Sequence, residues 1–137
     1  MKRIIAIDYG DARTGVAVSD LTGTLAGEAL TIQEWNAEKL AQRLAFFARE
    51  RDAEKFVLGL PKNMDGTEGP RAEKSRAVAH LLMEATGLEV VLWDERRSSI
   101  EAHGILHANG RKEKKHRETV DAVAASLILE GYLGTLH

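Results

Sequence analysis

Along the first third of the chain, short β-rich runs are separated by turn formers. Residues 3–9 and 14–19 read as strands joined by a tight Gly10-Asp11-Ala12-Arg13 connection. Leu21-Thr22-Gly23 marks a second turn, and a third strand is expected over 25–32. Then the period changes. Leu40, Leu44, Phe47 and Ala48 recur at helical spacing, which predicts a helix over 37–51 capped by Asn36. Phe56-Val57-Leu58-Gly59-Leu60 is a short unbroken apolar run and reads as a buried strand. Residues 61–69 are rich in turn formers. Pro70 suits the first turn of a helix with Val78, Leu81, Leu82 and Ala85 as its stripe, and Gly87 ends it. Glu89-Val90-Val91-Leu92-Trp93 is another strand. A helix is expected over 98–108, with Gly104 as a weak point. The last helix covers 117–133, with Val120, Val123, Ala124, Leu127 and Ile128 facing the core.

The order β-β-β-α-β-α-β-α-α predicts an α/β fold: a five-stranded mixed sheet, three antiparallel strands then parallel ones, flanked by helices. The late strands are expected to be parallel and central, which would explain their unbroken apolar character. A chain of 137 residues without repeat or linker fits a single domain over 1–137.

Composition narrows the chemistry. Lys+Arg 19 against Asp+Glu 21 leaves −2, so any nucleic-acid surface must be a local patch. Cysteine is absent, which removes disulfides, thiolate nucleophiles and Cys-based zinc sites. No apolar run approaches the roughly 20 residues that span a bilayer. Asp8 interrupts the opening apolar run, unlike a signal peptide. A cytoplasmic protein with no membrane partner is expected.

In open α/β sheets, ligands gather outside the carboxyl ends of the strands. Asp8 ends the first strand, and Asp94 and Glu95 end the strand after Trp93. Asp121 interrupts the apolar segment Val120 to Ala125. An acid beside a core stripe is costly unless paired. A partner arginine or a helix-start dipole would explain Asp121 alone, and a strand-end turn would explain Asp8. Together they suggest a carboxylate cluster that needs a hard divalent cation, Mg²⁺ or Mn²⁺. Such ions can activate a water and stabilise a leaving oxygen in phosphodiester cleavage. Asp94 and Glu95 are consecutive, so in a continued strand they face opposite ways, and spacing does not choose between them. Gly10 reads either as a plain turn glycine or as room for a phosphate or ion against the backbone.

Four segments carry a family resemblance. They are Ile7 to Asp20 (IDYGDARTGVAVSD), Gly59 to Lys74 (GLPKNMDGTEGPRAEK), Trp93 to Arg96 (WDER) and Val120 to Glu130 (VDAVAASLILE). In this order, over nearly the whole chain, they resemble the YqgF family, also called RuvX. The resemblance implies a ribonuclease H-like fold, kinship with RuvC-type Holliday junction resolvases, and nuclease action on the 16S ribosomal RNA precursor. It also implies an acidic triad of Asp8, Glu95 and Asp121. Asp11-Ala12 and Arg97-Ser98-Ser99 depart from the family's usual residues, and Asp11 adds a negative charge near the site.

Other residues complete the candidate surface. Residues 111–117 carry five fixed positive charges, Arg111, Lys112, Lys114, Lys115 and Arg117, against one acid. They read as a phosphate-binding loop, mobile until substrate binds, or as a solvated loop. Arg71, Lys74 and Asn63 flank a helix start where free N–H groups can take phosphate. Arg13 and Arg96 either contact phosphate or pair with a site carboxylate. His103 and His107 share a helix face but lack a third zinc ligand. Trp35 and Trp93 read as core or edge packing, since 5% aromatic content is low for a stacking platform.

The leading expectation is a metal-dependent endonuclease acting on structured RNA or branched DNA. Symmetric cutting of a junction would need a two-fold homodimer, whereas a processing nuclease can be a monomer. The alternatives are a non-catalytic nucleic-acid or transcription-complex binding module, and an actin- or sugar-kinase-like phosphotransferase, which 137 residues leave no room for.

Overall fold

The computed structural model describes residues 3–20, 26–94 and 113–136. Its elements are β1 (Arg3–Asp8), β2 (Arg13–Ser19), β3 (Ala26–Gln33), α1 (Ala37–Glu50), β4 (Ala53–Leu60), α2 (Pro70–Thr86), β5 (Glu89–Asp94) and α3 (Glu113–Thr135). The strands form one sheet in the order β3-β2-β1-β4-β5. β1 pairs antiparallel with β2 and parallel with β4, β2 pairs antiparallel with β3, and β4 pairs parallel with β5. The expected five-stranded mixed sheet is therefore present, but one placement is corrected. β5 is an edge strand, not a central one, and its four middle residues are only half-buried. An apolar run reports cover on the two faces of a strand and carries no information about its neighbours in the sheet.

Side chains alternate between two helical layers. Ile5, Ile7, Val16, Val18, Phe56 and Leu58 meet Leu40 and Leu44 of α1 and Val78 and Leu82 of α2. Ile4, Ala6, Ala17 and Val57 point the other way, against Ala125, Ile128, Leu129 and Leu133 of α3. The sheet residues under α3 are mostly small, which brings the helix close to the strands. Each fully buried Leu or Ile of this layer contributes about 1.5–3 kcal/mol.

Local signals explain the boundaries. The Asn36 side chain accepts from the Lys39 backbone N–H at 2.9 Å and caps α1. Pro70 opens α2, and Gly87 ends it in a left-handed conformation. Two helix faces differ from expectation. Ala85 is exposed, and α2 instead buries Ala72, Ser75 and Ala79 beside Val78 and Leu82. α3 begins at Glu113 rather than 117, so part of the basic run is helical and not a loop. Its buried face also extends to Tyr132 and Leu133, while Val123 and Leu127 are only partly buried. Trp35 is 73% exposed and is not core or edge packing, because the chain turns out of the sheet between β3 and α1. The turn at 21–23 and the expected helix over 98–108, with His103 and His107, lie outside the described residues. No helix among the described residues is long and apolar enough to cross a membrane.

Candidate active site

Asp8 is the last residue of β1, half-buried at the carboxyl end of the strand. Alternation puts its side chain with Ile4 and Ala6 on the α3 face. Its antiparallel partner is Gly15 of β2. The backbone of Asp121 lies directly on Gly15: a Cβ there would stand 1.9 Å from the Asp121 carbonyl oxygen. Residues 113 positions apart in sequence thus meet at one end and one face of the sheet, through a contact that only glycine permits. Asp121 sits more than two turns into α3. The helix dipole acts within the first turn, so it does not account for an acid here.

Arg13 does account for part of it. Its Nε donates to Asp121 Oδ2 at 3.3 Å, with the two side chains 31% and 21% exposed. Of the two roles open to Arg13, the structure shows the carboxylate pairing. Gly10 closes the connection between β1 and β2 so tightly that a Cβ would meet the Arg13 carbonyl oxygen at 2.3 Å. That contact is internal to the turn, which favours the plain turn reading of this glycine.

Asp94 ends β5 opposite Leu60 of β4. Val91 and Trp93 pack on the α3 layer and Val90 and Leu92 on the other. Alternation therefore turns Asp94 away from the face that carries Asp8. Glu95, Arg96, Arg111 and Lys112 lie outside the described residues, and Lys114, Lys115 and Arg117 fall in the first two turns of α3. Among the described residues, no three acids or histidines are grouped closely enough to hold a metal ion.

On the other side of Asp8, Lys74 Nζ donates to Asp11 Oδ1 at 3.1 Å, joining α2 to the β1–β2 connection. Arg71 is exposed on the first turn of α2. Asn63 is used within its own loop, where its amide donates to Thr67 Oγ1 at 2.9 Å and Thr67 donates to Asp65. Arg76 grips Glu68 through two 2.8 Å bonds, which ties the loop to α2 and holds the Glu68 carboxyl below its usual range.

The far half of α3 is anchored through β4 and β5. Lys55 Nζ donates to the Tyr132 hydroxyl at 3.0 Å, and this bond holds the ammonium above the usual lysine value. Trp93 meets Tyr132 edge-on, with centroids 6.2 Å apart, and packs closely over Gly131. These contacts fix the helix that carries Asp121. Asp8 and Asp121 stand out in the sequence by their charge within apolar runs, whereas Gly15, the seat between them, does not. An isolated glycine inside a strand is a sign of close backbone approach, and it was the available clue.

A five-stranded mixed sheet in the order β3-β2-β1-β4-β5 between helical layers is a ribonuclease H-like fold. The structural comparisons agree. The fold is similar to Thermus thermophilus RuvC, solved in complex with a Holliday junction substrate, with TM-score 0.62 and 13% identity, covering 98% of each chain. It is also similar to the Fowlpox virus resolvase, with TM-score 0.59 and 12% identity, again over 98% of each chain.

Sequence comparison is more specific. The model of the family described as "RuvX: Holliday junction resolvase" matches residues 2–135, and the chain belongs to this family. A relative from Halothermothrix orenii, named "Putative pre-16S rRNA nuclease", is 42% identical over 96% of this chain and 94% of its own length. A relative of the same name from Myxococcus xanthus is also 42% identical, over 96% of this chain and 87% of its own.

Proposed function

We propose that the chain is a nuclease that hydrolyses phosphodiester bonds in the 16S ribosomal RNA precursor. In this reading it works in the cytoplasm as one domain over 1–137, with Asp8, Glu95 and Asp121 as its catalytic carboxylates. The observation that carries the proposal is the convergence of Asp8 and Asp121 across Gly15. Glu95 enters through the family motif Trp-Asp-Glu-Arg, and the orientation of Asp94 supports that choice.

The donor set fits a small divalent ion. Carboxylate oxygens suit Mg²⁺ or Mn²⁺, the hard divalent ions that prefer oxygen ligands. Asp8, Glu95 and Asp121 would hold the ions. When bound, such ions supply Lewis acidity, for an attacking water and for the leaving oxygen.

The remaining roles fall to the chain's own side chains. Arg13 positions the Asp121 carboxylate and would also meet a substrate phosphate. Arg71, Lys74 and Asn63 flank the start of α2 and would hold the strand on one side of the site. Arg96, Arg111, Lys112, Lys114, Lys115 and Arg117 are further cations that would hold the phosphate backbone.

The test compares a 16S precursor RNA and a four-way DNA junction, each with Mg²⁺ or Mn²⁺, using wild type and Asp8→Asn. The expected result is RNA cleavage that drops to background in the variant. Cleavage of the junction alone would make branched DNA the substrate and a two-fold homodimer the working form. Equal cleavage by wild type and variant, or none by either, would remove the carboxylate mechanism and leave a nucleic-acid binding module.

A further inference from the structure

Beside Asp8, a narrow crevice separates the β1–β2 connection from the first turns of α2. Tyr9, Gly10, Asp11, Arg71 and Lys74 line it. Its chemistry suits a phosphodiester: two long cations, a phenol, and a helix start with no side-chain cap at Gly69. Its size does not. The crevice holds about 20 Å³, room for about one water. The ion pair between Asp11 and Lys74 joins its two walls at 3.1 Å. These side chains are 73% and 57% exposed, so exchanging Asp11 for another anion costs little.

We propose that Asp11 is an electrostatic gate on this subsite. It occupies Lys74 in the free protein, in the place of a substrate phosphate. A strand already seated at Asp8 presents its neighbouring phosphate at high local concentration and displaces Asp11. Nucleic acid that is not seated there must compete with Asp11 unaided. The gate therefore lowers affinity for backbone in general and favours strands positioned for cleavage. The inference rests on the nuclease reading.

The test is a double-mutant cycle on RNA binding, without divalent ions so that no cleavage occurs. Wild type, Asp11→Asn, Lys74→Met and the double variant are titrated with a fluorescent 16S precursor fragment over a range of salt. Asp11→Asn is expected to bind about fivefold tighter, the worth of one exposed ion pair. Its log affinity against log salt should steepen by about 0.7, because the phosphate that seats on Lys74 no longer frees an Asp11 carboxylate to take up a cation. In the Lys74→Met background the same substitution should change nothing. An equal gain with and without Lys74 would reduce Asp11 to a contributor of net charge and overturn the gate, while the nuclease reading stands. Weaker binding by Asp11→Asn would overturn it too. If none of the four proteins binds RNA, and the wild type does not cleave it, the nuclease reading fails and the gate falls with it.

Discussion

Position 15 tolerates no side chain, because the Asp121 carbonyl occupies the space where a Cβ would project. Gly15→Ala must therefore lift α3 from β2, and backbone on both sides leaves no flexible side chain to yield. Overpacking of this kind costs about 1–3 kcal/mol, and at this chain length that lowers Tm by about 4 °C per kcal/mol. Thermal melting should show the loss, and RNA cleavage should fall further than stability, since the displaced residue carries one of the proposed catalytic carboxylates. Unchanged cleavage in a folded Gly15→Ala protein would mean that the spacing of Asp8 and Asp121 is immaterial. Arg13 presents the opposite case. Arg13→Gln removes positive charge 3.3 Å from Asp121 without creating a clash. Divalent ions should then bind more tightly in calorimetry, while RNA affinity falls. Weaker ion binding would instead show that Arg13 orients Asp121 for the ion.

At the scale of elements, α3 is the bridge between stability and chemistry. Its buried residues Ile128, Leu129 and Leu133 hold it to the sheet, and Asp121 lies toward its other end. Leu129→Ala should cost about 2–5 kcal/mol in denaturant unfolding. Glu28 of β3 and Arg51 at the end of α1 form a second tie, with bonds of 2.9 and 3.0 Å that hold the Glu28 carboxyl below its usual range. A depressed carboxyl stabilises the fold above its unfolded pKa and loses that contribution as pH falls through the folded value. Wild type should therefore melt above Glu28→Gln at neutral pH, by a small margin because Glu28 is half exposed. The two should converge on acidification below the ordinary glutamate range. Much of this layer was legible in the sequence. Asn36, Pro70 and Gly87 mark boundaries through local chemistry, and an acid inside the apolar run of α3 marks a candidate site. The start of α3 was not legible, because a basic run is compatible with helix and loop alike. The edge position of β5 was not legible either, since pairing order is a tertiary property. Gly15 was visible only as a strand glycine, and what it touches comes from residues more than 100 positions away.

For the whole molecule, the site exists only when β1, β2 and α3 are assembled. Asp8 and Asp121 belong to opposite ends of the chain, and an unfolded chain has no means of holding them together. A divalent ion that both coordinate would bind the native state and not the unfolded one, so it must stabilise the fold by mass action. At a concentration about 100 times its dissociation constant the gain is about 2.7 kcal/mol, which raises Tm by about 10 °C at this chain length. Melting curves of wild type with increasing Mn²⁺ or Mg²⁺ should show that rise, and a chelator should reverse it with the fold intact. The rise should be absent in Asp8→Asn, because one of the proposed ligands has lost its charge. An equal rise in both proteins would put the ion elsewhere on the surface. A loss of cleavage in Asp8→Asn would then come from a direct role of the carboxylate in proton transfer.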